Sequence, residues 1–239
     1  MTAPTVLAAE EIEIGVHPTA TFLGLTFNLD TILASVIAGA VVVGLGLFVR
    51  SRVTAGVPSG TQLFMEGVNA QVRTQVEQSI GIKTAPFVVP LAMTLFLFIL
   101  AANWLAFLPS EHYVPPPTAD VSLTFALALL VIVAVHVTGI RKRGAGTYLK
   151  HFAQPYWWLF PLNLIEELAK PVSLALRLFG NIFSGGIIVA LIAGLPAYIL
   201  WAPNATWKLF DLFIGLIQAF IFALLTVLYF GSAASEEGH

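Results

Sequence analysis

The sequence predicts an all-α integral membrane protein with about five transmembrane helices and one amphipathic surface helix. Three observations carry that class. The 239 residues are 58% hydrophobic and only 10% charged, with a mean hydropathy of +0.89, against about 25% charged residues in an ordinary soluble domain. The apolar residues gather into runs of the length a bilayer demands, about 20 helical residues for a core of about 30 Å. Clusters of Lys and Arg punctuate those runs instead of being spread over a surface. Such a chain lacks the polar residues to cover a globule in water. A net charge of −2 offers no basic face for nucleic acid. The absence of cysteine excludes a disulfide framework and a thiol nucleophile.

Residues 1–29 carry Glu10, Glu11 and Glu13 and no Lys or Arg. They lack the basic start and apolar centre of a secretory signal, so they are expected to persist as an external N-terminal segment. The first span is 30–49, closed by Arg50 and Arg52. In 59–78, Phe64, Val68, Val72 and Val76 recur every fourth residue against Gln71, Arg73, Gln75 and Glu77. That pattern is an amphipathic helix on the membrane surface or against a partner. The second and third spans are 86–108 and 121–140. Between them, 109–120 carries Glu111, the run Pro115-Pro116-Pro117 and Asp120, a short stiff loop. Arg141, Lys142 and Arg143 close the third span, and Tyr156, Trp157 and Trp158 follow as interfacial aromatics.

Two longer segments remain, 162–200 and 206–232, before a tail at 233–239. A straight helix over the first would be about 57 Å long, so it must tilt, bend or break. Pro171, Gly185, Gly186 and Pro196 are available for that. The positive-inside rule sends Arg50, Arg52 and Arg141–Arg143 to the cytoplasm. The N-terminus and the 109–120 loop then lie outside and the tail inside.

The last two segments hold charge where lipid penalises it. Arg177 has apolar neighbours on both sides, and a charge at a helix centre costs about 2.5–3.5 kcal/mol on insertion scales. At 100° per residue, Glu166, Lys170, Ser173, Arg177, Asn181 and Ser184 fall on roughly one face. Asp211, Gln218 and Tyr229 share a face of the last segment. A polar stripe on an apolar helix marks a protein interior, a partner or a water-filled path.

Other readings of the same residues stand beside these. Arg177 also fits a structural ion pair within a bundle, and Glu166, Glu167 and Lys170 fit interfacial charges at a helix start. Asp120 fits an N-cap for the third span, as well as a mark of a channel mouth together with Glu111. Asp211 fits an i,i+3 pair with Lys208. His136 reads as a hydrogen-bonded packing residue, and His17, His112, His151 and His239 are too scattered for a metal site. Ser184-Gly185-Gly186 reads as close helix packing. No nucleophile–base set and no phosphate loop occurs, so the chain makes and breaks no bonds by itself and calls for no cofactor.

The run from Lys170 to Asn181, Lys-Pro-Val-Ser-Leu-Ala-Leu-Arg-Leu-Phe-Gly-Asn, resembles the signature of the a subunit of F-type ATP synthases. Gln218-Ala219-Phe220-Ile221-Phe222, Ser235-Glu236-Glu237, Asn103–Pro109 and Pro117–Asp120 extend the resemblance over nearly the whole chain after its N-terminus. The resemblance implies a static proton-path subunit in a bacterial plasma membrane, its last two helices a steeply tilted hairpin against a c-ring. Two offset half-channels, one from each side, would load and unload a carboxylate on each c subunit. Its partners would be the c-ring, b-type peripheral stalk subunits, the F1 sector, protons and lipid, with ATP chemistry on other subunits.

Residue by residue, Arg177 matches the family's essential arginine and Asn181 the asparagine one turn on. Gln218 matches the glutamine on the neighbouring helix, and Glu166 the acid of the inner exit path. Asp211 stands where relatives carry a His or an acid in the outer path. Gly186 falls where some relatives carry a glutamate, which implies that Asp211 supplies the acid from the other helix. Two rival functions are an independent ion-coupled transporter and a structural assembly subunit. The transporter predicts inverted repeats and a midplane pocket, and the sequence shows no repeat.

Overall fold

The computed structural model describes residues 19–22, 25–53, 58–82, 85–107, 115–151 and 156–234. Glu10, Glu11, Glu13, Glu111, His17, His112 and the tail from Ser235 lie outside them. Seven helices dominate: α1 Leu29–Arg52, α2 Gly60–Ser79, α3 Val88–Trp104, α4 Val121–Arg143, α5 Ala145–His151, α6 Phe160–Ala193 and α7 Ala197–Ala234. A two-stranded antiparallel hairpin, β1 Thr19–Phe22 and β2 Leu25–Asn28, precedes α1, with Thr19 opposite Asn28. It falls within the segment read simply as external. Its alternating Thr-Ala-Thr-Phe and Leu-Thr-Phe-Asn have the period and the residue types of a short strand pair.

Local chemistry sets the helix ends. Asp30 in the first turn of α1 and Arg50 and Arg52 in its last complement the helix dipole. Ser59 caps α2 by accepting from the Gln62 amide. Asp120 caps α4, its Oδ1 accepting from the Ser122 amide at 2.7 Å. Gly144 ends α4 at φ +78°, a conformation costly for any residue with a Cβ.

The long apolar segments divide differently from the expected boundaries. The first closes at Ala193 instead of about 200, and the second opens at Ala197 instead of about 206. The chain reverses at Gly194-Leu195-Pro196, where proline cannot continue the preceding helix. Pro171 and Pro203 sit inside helices that run through them. Among the described residues, five helices have the length and composition to cross a membrane: α1, α3 with its 3-10 extension to Phe107, α4, α6 and α7. At 34 and 38 residues, α6 and α7 are about 51 and 57 Å long, so both must slant in a bilayer.

The core lies where α3 meets α7, with α4 and α6 against them. Small residues line it: Ala92, Ala128, Ala175 and Ala219 are fully buried beside Phe222 and Phe230. Helices in lipid gain little from hydrophobic transfer, so close van der Waals packing through small side chains is what holds them together. Span α1 touches this core lightly, burying only Thr31, Ala34 and Ala38. In α2, Val72 and Val76 are buried, whereas Phe64 stays exposed above an apolar groove of about 350 Å³ shared with α3 and α7. The basic residues of α1 and α4 and the starts of α2 and α6 mark one end of the bundle. The hairpin, the start of α4 and the α6–α7 turn mark the other.

Candidate functional site

The polar stripe of α6 runs along the margin of its buried face. Leu174, Ala175, Leu178, Ile182 and Gly185 turn into the bundle. Lys170 and Asn181 are half-buried beside them, and Ser173, Arg177, Ser184 and Glu166 are exposed. Ser184 donates to the backbone carbonyl of its neighbour Asn181 at 3.0 Å. Arg177 therefore sits at mid-helix on the outer surface of the bundle. Among the described residues it forms no ion pair within the chain, so the internal ion-pair reading of Arg177 loses its partner.

Two contacts fix how α7 lies along α6. Asp211 packs against Gly185: a Cβ built on that glycine would stand 3.3 Å from Asp211 Oδ1. Fifteen residues back along α6 and eighteen on along α7, Lys170 Nζ lies 5.8 Å from the centre of the Tyr229 ring. The helices are antiparallel, and between these contacts the register brings Gln218 level with Arg177 and Asn181. The charges of Lys170, Arg177 and Glu167 all bear on Tyr229. Gln218 is buried, and both its Nε2 and the Asn181 Nδ2 are buried donors with no hydrogen-bond partner among the described residues. Two unspent amide donors beside a mid-membrane guanidinium form a polar locus in apolar surroundings, costly unless water or a further group satisfies it.

The carboxylate at Asp211 meets α6 at Gly185, one residue before the Gly186 at which the sequence comparison pointed. Gly186 itself is exposed and faces nothing within 4 Å.

Asp120 belongs to a different neighbourhood. It is buried, and beyond its cap to Ser122 its Oδ2 accepts from Asn28 Nδ2 and Thr31 Oγ1, each at 2.6 Å. Burial pushes its carboxyl up, but the hydrogen bonds from Thr31, Asn28 and Ser122 outweigh that and hold it below the usual carboxylate range. Asp120 thus ties the start of α1 to the start of α4, at the edge of a cleft of about 420 Å³ also lined by Thr26, Ser35 and Ser122. It does not reach Asp211 directly. Between them stands a staple that the sequence reading did not assign. Thr118 donates to Asn103 Oδ1 at 2.8 Å, Asn103 Nδ2 donates to the Gly215 carbonyl at 3.2 Å, and Trp104 Nε1 donates to the Leu212 carbonyl at 3.2 Å. The signal available was an asparagine inside an apolar run, which needs a partner in lipid.

The inner end also departs from expectation. Glu166 is exposed, whereas Glu167, one residue or 100° on, turns inward. Its Oε2 pairs with Lys170 at 2.6 Å and its Oε1 lies 3.8 Å from His136 Nε2 of α4.

A hairpin of long apolar helices that carries a cation unpaired among the described residues, orphan amides and staggered acids has the features of an ion path in a membrane protein. The family model described as ATP synthase A chain matches residues 32–231. The ATP synthase subunit a of Acidothermus cellulolyticus is 56% identical, over 99% of this chain and 88% of that one. That of Mycobacterium tuberculosis is 53% identical over 98% of each, and that of Priestia megaterium 37% identical over 92% of this chain and 98% of that one. The chain belongs to the ATP synthase A chain family. It is a multi-pass, proton-translocating membrane subunit of an F-type ATP synthase, without catalytic sites of its own.

Proposed function

We propose that protons cross through two offset passages that meet on either side of Arg177, at the surface where α6 faces a ring of carboxylate-bearing c subunits. The observation that carries this reading is Arg177 itself, exposed at mid-helix, unpaired among the described residues and flanked by the donors of Asn181 and Gln218, which are likewise without partners there. Arginine is not deprotonated in proteins, so it relays nothing. It favours the ionised form of a carboxylate brought alongside and blocks direct leakage between the passages. Asn181 and Gln218 hold the guanidinium or the water beside it, and Ser173, Ser184 and Tyr229 line the approach. Asp211 is the acid of the outer passage, with Asp120 at the outer mouth, and Glu166 serves the inner exit. A voltage of 100 mV supplies about 2.3 kcal/mol per charge to this exchange.

The basic end faces the cytoplasm, as the positive-inside rule requires, in a bacterial plasma membrane with the N-terminus outside. A b-type stalk holds the chain static, and the F1 sector makes ATP. Inverted vesicles containing the assembled complex test this. Arg177→Gln should assemble with all its subunits and lose ATP-driven acidification. An assembled variant that pumps at the wild-type rate would overturn the proposal.

A further inference from the structure

Four helices bring a second set of ionisable groups together at the basic end, apart from Arg177. His136 stands in the apolar part of α4. Its Nε2 is 3.8 Å from Glu167 Oε1, and their side chains are 32% and 16% exposed, so the pair is sheltered but not sealed within the bundle. The imidazole packs on the Tyr148 ring of α5, centroids 5.9 Å apart at 63°. That ring fits only because residue 139 is glycine: a Cβ there would meet Tyr148 Cε2 at 2.4 Å. Lys170 holds the other oxygen of Glu167 and reaches the Tyr229 ring of α7, on which Arg177 also bears. Arg143, from the last turn of α4, keeps Nε and Nη2 buried without hydrogen-bond partners. Tyr148 responds to the set: burial pushes its phenol up, the Glu167 charge adds to that and Arg143 opposes it. The titratable and charged groups around His136 are therefore Glu167, Lys170, Tyr148, Tyr229 and Arg143.

The two oxygens of Glu167 are unequal. One is neutralised by Lys170; the other faces the imidazole of His136. A carboxylate and an imidazole just beyond hydrogen-bond distance, joined by a small side-chain movement or one water, form a proton-exchange pair. Histidine is the side chain that exchanges its proton in the neutral range.

We propose that His136 is a relay residue of the inner passage, taking protons from Glu167 and releasing them at the basic end. In the step, the proton leaves Glu167 Oε1 for His136 Nε2. A carboxylate paired with Lys170 and an imidazolium result, and release of the proton to water restores the neutral ring. Operation in reverse loads Glu167. This rests on the proton-path reading above and assigns that path a residue on α4, outside the α6–α7 hairpin.

The test is ATP-driven acidification of inverted vesicles, per assembled complex, as the pH on the basic face is varied from about 5 to 8, the range over which an ordinary imidazole changes charge. His136→Gln keeps the size and polarity but cannot titrate. It should slow pumping by about tenfold, less than the hundredfold of a fully enclosed acid–base group, and flatten the dependence on pH at that face. Added imidazole should restore part of the rate in His136→Ala. If His136→Gln does not assemble, Glu167→Gln must show the same flattened profile. An assembled His136→Gln or Glu167→Gln complex with the wild-type pH profile overturns the relay. Arg177→Gln, run in parallel, separates the outcomes: its arrest beside a wild-type His136→Gln profile sinks the relay alone, and its normal pumping sinks the path.

Discussion

At the scale of single residues, the chain's chemistry depends on where a helix omits a side chain. Gly139 admits the Tyr148 ring, and Gly185 admits the Asp211 carboxylate. Tyr148 is only 5% exposed, so its ring has nowhere to retreat. Gly139→Ala should therefore cost about 1–3 kcal/mol, the usual range for overpacking. The check is the temperature at which the chain is lost from the detergent-solubilised complex; no change would mean that α5 moves aside freely. The sequence made Arg177 legible because a lone charge in an apolar run announces its own cost. Glu167 was hidden for the opposite reason. Two adjacent glutamates at a helix start look alike in sequence, and only the azimuth about α6, 100° apart, sends one to solvent and the other to His136.

At the scale of elements, the same logic appears in how helix ends are pinned. Asp120 is at once the cap of α4 and the acceptor for Asn28 and Thr31. With its folded carboxyl held below the usual range, it stabilises the tether fully above the ordinary carboxylate pKa and loses that contribution as pH falls through the lowered folded value. Asp120→Asn should loosen the complex by about 2 kcal/mol at neutral pH, the scale of hydrogen bonds to a charged group. The gap from wild type should hold down to about pH 4, the ordinary carboxylate range, and narrow only below it as pH falls towards the lowered folded value, read as thermal release of the chain against pH. A gap that widens in acid would contradict the tether. The capping role was readable from an Asp placed directly before an apolar run. The bonds to α1 were not, because they join residues about 90 positions apart. The boundary between the last two helices was also misjudged: of the candidate breakers Pro171, Gly185, Gly186 and Pro196, only Pro196, which follows a glycine turn, separates two helices.

At the scale of the whole molecule, the antiparallel register of α6 and α7 is the organising fact, and the chain's lack of cysteine makes it directly testable. Cysteines introduced together as Gly185→Cys and Asp211→Cys stand at the contact that sets the register, where a Cβ at residue 185 lies 3.7 Å from Cγ of Asp211, the atom position that the new Sγ would take. They should link under mild oxidant in membranes, seen as a mobility shift that reductant reverses, and a shifted register would leave them unlinked.

The slant of α6 has a geometric consequence. A rod of about 51 Å confined to a hydrocarbon layer of about 30 Å travels about 40 Å sideways while it crosses. Depth and lateral position are thereby locked together, as on a ramp. The Gly185–Asp211 contact near one face and the Glu167–His136 pair near the other lie over different points of the membrane plane. An upright helix would stack those two addresses in one column, where water reaching both would short-circuit the membrane. The ramp keeps them apart, so on the proposed path a proton passing from one to the other must be carried along the surface, and a voltage directed across the membrane would drive a displacement within it.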